Sequence, residues 1–230
     1  MKSWRLLSMA LVIAFGVLVA GCGGSMFRSA KTINDPLALS GRSAGVNIVL
    51  GGDALTRQFS AETPRPPSSP SEALLAYSFG NNVDLAQYEG METLTVNQGI
   101  RLRFTFTPNT SMPGVITLRN VSLRLWLRLA DRDSQDVARS AVPIELAYNG
   151  TLIIERQTDG SYLSQNVISF SVPTDKADGW QLLNILASGI ENTLTVDISF
   201  AAETSSANVP ANATARLNVG FETGSAYIQW

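Results

Sequence analysis

Four stretches of this chain alternate apolar and polar residues with a period of two, and that pattern leaves few folds open. Ile100, Leu102, Phe104 and Phe106 alternate with Arg101, Arg103, Thr105 and Thr107. Val121, Leu123, Leu125, Leu127 and Leu129 alternate with Ser122, Arg124, Trp126 and Arg128. Leu194, Val196, Ile198 and Phe200 alternate with Thr195, Asp197 and Ser199, and Leu217, Val219 and Phe221 form a last row. Successive side chains of a strand point to opposite faces, so these segments read as antiparallel strands with one face on a core and one in water. The runs 46–50 (VNIVL) and 167–172 (VISFSV) add two more strands, the second ended by Pro173. Tyr148-Asn149-Gly150-Thr151, between two apolar runs, predicts a tight hairpin turn.

One helix interrupts the strands. Trp180, Leu183, Leu186, Ala187 and Ile190 recur at steps of three and four, with Asp178 as N-cap and Gly189 to end the helix. The fold class expected is all-β: an antiparallel, immunoglobulin-like β-sandwich with one short crossover helix near 178–189. A membrane-spanning barrel also alternates, but Arg124 and Arg128 share a strand with a continuous leucine row and aromatic residues are only 8% of the chain, too few for two girdles.

The N-terminus carries a different signal. Lys2 and Arg5 precede an apolar run from Leu6 to Val19, followed by the small residues Ala20 and Gly21 and the chain's single cysteine, Cys22. The run is short for a transmembrane helix and has the order of a secretory signal. Val19-Ala20-Gly21-Cys22 resembles the lipobox of bacterial lipoproteins. That resemblance implies cleavage before Cys22, a diacylglycerol on its thiol and a membrane held through that anchor. It implies a cell-envelope location: the outer membrane in a Gram-negative cell, since Gly23 stands where inner-membrane retention uses Asp, and otherwise the outer face of the plasma membrane. The expected organisation is a signal peptide over 1–21, a Gly/Ser-rich tether over 22–45 and a single β-sandwich over 46–230. The proline-rich run PRPPSSPS near 64–71 is a loop or linker that cannot enter a sheet interior.

Composition closes off most chemistry. The chain has no histidine, and lipidation consumes the cysteine, so Ser-His-Asp and Cys-His catalysis and histidine zinc sites are excluded. Removing Lys2 and Arg5 with the signal takes the net charge from −2 to −4, which argues against nucleic acid as a partner. No catalytic residue and no cofactor is expected. Glycoside hydrolysis by paired carboxylates stays open as an alternative, with Glu145 and Glu155 on opposite arms of the expected hairpin as the pair most able to meet. Asp131, Asp133 and Asp136 form a weak calcium candidate; Arg132 among them and the missing EF-hand glycine favour a solvated loop.

The sharper candidate is a sheet face. If the 108–114 segment joins two paired strands, Arg101 and Arg103 lie beside Arg124, Trp126 and Arg128 on one outward face. Guanidiniums bind carboxylates and phosphates, and an indole stacks on apolar faces such as sugar rings, so this face would suit an acidic glycan or an envelope protein. The opposing reading is a wet face whose arginine stems shield the tryptophan while acidic neighbours neutralise the charge. The sequence therefore predicts an envelope lipoprotein acting as a non-catalytic interaction or structural module, with a carbohydrate-binding module and a carboxylate-based envelope hydrolase as alternatives.

Overall fold

A computed structural model describes residues 30–63, 75–79, 83–130, 142–187 and 192–230. Cys22 and the signal, the proline-rich run, Asp131, Asp133 and Asp136, and Gly189 lie outside the described residues. Twelve strands occur among those described: β1 (Lys31–Asn34), β2 (Ser43–Gly52), β3 (Thr56–Glu62), β4 (Leu75–Phe79), β5 (Thr93–Thr107), β6 (Val115–Ala130), β7 (Val142–Arg156), β8 (Tyr162–Ser164), β9 (Ile168–Thr174), β10 (Asn192–Ser205), β11 (Thr214–Phe221) and β12 (Ser225–Gln229). The helix α1 spans Lys176–Ala187.

The fold is an antiparallel β-sandwich with one α-helix among the described residues. In one sheet β5 is central, with β11 and β12 on one side and β8 and β9 on the other; β2 lies beyond β11 and β1 beyond β12. In the other sheet β10 is central, flanked by β3 and β4 on one side and by β6 then β7 on the other. The apolar rows read from the sequence all face inward: Leu102, Phe104, Leu123, Leu125, Leu127, Ile198 and Leu217 are fully buried. Rings from the two sheets touch across the core, Phe104 with Phe200 at 5.6 Å and Phe59 with Phe106 at 6.1 Å between centroids. The outline of two packed sheets carries one addition. β2 pairs with β3, and β7 with β8 and so with β5, so hydrogen bonding runs round both lateral edges. That closure leaves few edges open to pairing with another chain.

Several local expectations are corrected. The tether is shorter than 22–45, because residues 31–34 form β1 against β12 and Leu37 and Leu39 are buried in the core. Asp35 holds that segment, its carboxylate accepting the N–H of Leu39 at 3.1 Å. Lys31–Asn34 is thus the first strand among the described residues, and the 46–50 run is the middle of the second. Asn149 and Gly150 form no hairpin turn. They lie inside β7, opposite Ser122 and Val121 of β6. The facing strand β6 carries a bulge at this site: its register with β7 shifts between Leu118 and Val121, with Asn120 at φ 48°. The bulge also resets the strand's parity, so Arg119, which the leucine row would have placed inside, is exposed. The helix starts two residues early, with the Asp175 carboxylate accepting the Asp178 N–H at 2.8 Å, so Asp175 plays the part expected of Asp178. Its apolar face also takes in Leu182 and Ile185, both buried. β3 and β4 both pair with β10, so the chain between them is a connection within one domain.

Candidate functional site

The five side chains expected on one face are divided between two. β5 does not pair with β6; the chain crosses after Thr107 to the opposite sheet. Both strands turn their apolar rows to the shared core, so Arg101 and Arg103 look out from one side of the sandwich and Arg124, Trp126 and Arg128 from the other. Each of the four arginines meets a carboxylate: Arg101 with Glu222 at 3.3 Å, Arg103 with Asp159 at 2.9 Å, Arg124 with Glu145 at 3.8 Å and Arg128 with Asp197 at 2.5 Å. The acidic neighbours that would neutralise such a face are therefore present on both halves.

On the β6 side the pairing goes inward. Asp197, expected on a wet face, is fully buried, and the Arg128 side chain is only 13% exposed. Trp126 is half-buried directly across from Asp197, and Thr195, across from Arg128, is also fully buried. The in-plane neighbours of β10 change beside this pair. β3 ends beside Ile198, where the Thr63 hydroxyl accepts the Ile198 N–H at 3.0 Å, and β4 rejoins β10 with Leu75 across from Val196. The chain thus leaves and re-enters the sheet on either side of Asp197. Alternation says which face a residue is on; it says nothing about whether that face is covered.

On the β5 side two shallow grooves, of about 570 and 410 Å³, adjoin at the Arg101–Glu222 pair. Their floor is small and polar: Gly99 and Gly220 flank Arg101, with Asn218 and Ser169 beyond. Gln98, buried beneath, donates from its amide to the Glu222 carbonyl at 2.7 Å and fixes that corner. Ser161 anchors Asp159 from its backbone N–H and its hydroxyl, at 2.9 and 2.6 Å. Those hydrogen bonds first, and the Arg103 charge after them, hold the Asp159 carboxyl below its usual range. Arg216, on the same outer face, makes no ion pair among the described residues. This face offers hydrogen bonds and charge pairs, with the exposed ring of Tyr227 on β12 as its aromatic side chain.

A third groove, of about 390 Å³, was invisible to sequence reading. It lies where β6 and β10 part beyond the bulge and is lined by Leu55, Val115, Arg119, Glu203 and Asn208. Glu203 stands across from Arg119 and accepts from the Asn120 amide at 2.9 Å. Leu55 is 80% and Val115 53% exposed. The sole sequence hint is a leucine inside the polar turn 53–56 (DALT), a turn held by the Asp53 carboxylate accepting from the N–H groups of Leu55 and Thr56, both at 2.8 Å.

The carboxylate pair proposed for glycoside hydrolysis is not assembled. Glu145 and Glu155 belong to the single strand β7, ten residues apart, which places their backbones about 33 Å from one another. Among the described residues no group of three or more potential ligands is arranged to hold a metal.

No known family model matches this sequence, and no curated protein matches it. Solved structures with some likeness include the VP2 protein of infectious bursal disease virus, in T=1 particles of its D431N mutant, at 13% identity and a TM-score of 0.25, over 90% of this chain and 41% of that one. The chain thus spans about two fifths of that VP2 chain. The desmodium yellow mottle tymovirus structure is 11% identical with a TM-score of 0.19, over 90% of this chain and 91% of that one. A winged bean acidic lectin complexed with methyl-α-D-galactose is 9% identical with a TM-score of 0.20, over 87% and 99%. Likeness of that depth bears on none of the sites above.

Proposed function

We propose that this chain is a lipid-anchored protein of the bacterial cell envelope whose β-sandwich acts as an interaction or structural module. The observation that carries the reading is the export signal ending at Cys22, followed after only eight intervening residues by a strand of the folded unit. Two further features support a non-catalytic module. The carboxylates that would have run hydrolysis are far apart on one strand, and the candidate arginines are already matched to acids. The matched arginines also weigh against the acidic-glycan reading, since a sulfate or carboxylate ligand would have to displace Glu222, Asp159, Glu145 or Asp197 from its partner. Gly23 after the anchor favours the outer membrane in a Gram-negative cell.

Cys22→Ser tests this reading by partitioning in Triton X-114. The natural chain should enter the detergent-rich phase, because each buried acyl methylene contributes about 0.8 kcal/mol. The serine variant, with no thiol to acylate, should move almost wholly to the aqueous phase once the apolar run 6–19 has been removed from it by proteolysis. A variant still found in the detergent-rich phase would overturn the anchor.

A further inference from the structure

We infer that the sandwich stands end-on at the bilayer, with the end that carries α1 and Trp230 against the lipid headgroups and the turn at Leu55 directed away. The inference rests on the lipid anchor at Cys22 and adds an orientation and a contact surface to it. Eight residues separate Cys22 from Lys31. Fully extended, that stretch spans about 30 Å. The sandwich is longer: β6 alone has 16 residues, about 50 Å of strand. A chain entering at one end cannot place the other end on the membrane.

The entry end is fixed by the register. Lys31 pairs with Ile228, Ile228 pairs with Leu94 at the start of β5, and α1 sits against that start, its Gly179 packed against Met91 and Leu94. The Trp230 indole donates to the Glu89 carbonyl at 3.2 Å and so belongs to the same end. The opposite end is made of the turns at 53–55, 108–114, 157–161 and 206–213.

A second observation chooses end-on over side-on. Both tryptophans of the entry end, Trp180 and Trp230, are half-buried, and Tyr227 beside them is 37% exposed. Amphipathic rings of this kind settle at the headgroup level. The lysines that follow the signal, Lys31 and Lys176, are here too. Lys31 lies 5.3 Å from the Tyr88 ring centre and Lys176 reaches Glu92 at 3.7 Å. The acids of this end, Asp84, Glu89, Glu92, Asp175 and Asp178, outnumber them. Attraction to anionic lipid therefore does not set the orientation; the short connection and the aromatic rings do. The contact is with a zwitterionic headgroup surface, and salt should leave it unchanged.

The test uses the full, processed protein in phosphatidylcholine vesicles containing a headgroup-labelled acceptor lipid. A donor dye is placed on Asn184→Cys, exposed on α1, or on Ala54→Cys, exposed in the turn at the far end. Energy transfer should be several-fold greater from position 184 than from 54, and unchanged at high salt. Equal transfer from both positions, or greater transfer from 54, in protein that floats with the vesicles would overturn the orientation and leave the anchor standing. Failure of the natural chain to float would strike the anchor itself and the orientation with it.

Discussion

Replacing Asp197 by alanine is expected to lower the unfolding free energy by about 3–5 kcal/mol, the usual result of stranding one half of a buried ion pair. The Asp197 side chain has no exposed surface and that of Arg128 is 13% exposed, so the guanidinium left behind keeps its charge with little access to water. Against a typical total of about 5–15 kcal/mol, that loss is enough to unfold a marginal domain. Removing both charges is a different experiment. Arg128→Met combined with Asp197→Leu should recover most of the loss, because the cost of dehydrating the two ions goes with them. Urea titration of the two single variants and the double variant measures the coupling. A loss below about 1 kcal/mol for Asp197→Ala, the range of exposed pairs, would mean that water reaches the pair.

Leu125→Asp should abolish cooperative folding altogether. Leu125 is fully buried in the leucine row of β6, facing the other sheet. The substitution removes a core side chain, a loss of about 2–5 kcal/mol, and drives a carboxylate toward an apolar interior at a cost of several more. Leu125→Met, nearly equal in volume, should cost less than about 1.5 kcal/mol and serves as the control. Circular dichroism against temperature reads both. A normal cooperative transition in the aspartate variant would reverse the assignment of inner and outer faces.

What the sequence conveyed well was face, and what it conveyed poorly was pairing. The rows from Ile100, Val121, Leu194 and Leu217 are buried as the period of two requires, because side-chain alternation is a local property of extended backbone. Which strands lie side by side is settled by contacts far apart in sequence. The 108–114 segment could join neighbours or cross the core, and it crosses, which separates Arg101 and Arg103 from Arg124, Trp126 and Arg128. Asn149-Gly150 shows the same limit. The dipeptide suits a tight turn, but it lies in a continuous ladder opposite Ser122 and Val121, next to the bulge at Arg119 and Asn120. Asp197 looked wet because Val196 and Ile198 flank it, yet it is fully buried and paired with Arg128. The tether was overestimated for a further reason. Leu37 and Leu39 sit among polar residues without the run or period that marks a core segment, yet both are buried.

The central claim is that Cys22 carries a lipid anchor for the sandwich whose first described strand starts at Lys31. Its most direct test is the intact mass of the mature protein purified from membranes. The expected result is a chain beginning at Cys22 and heavier than residues 22–230 by a diacylglyceryl group, with or without a further N-acyl chain. A chain that begins elsewhere, or an unmodified Cys22 thiol, would contradict it.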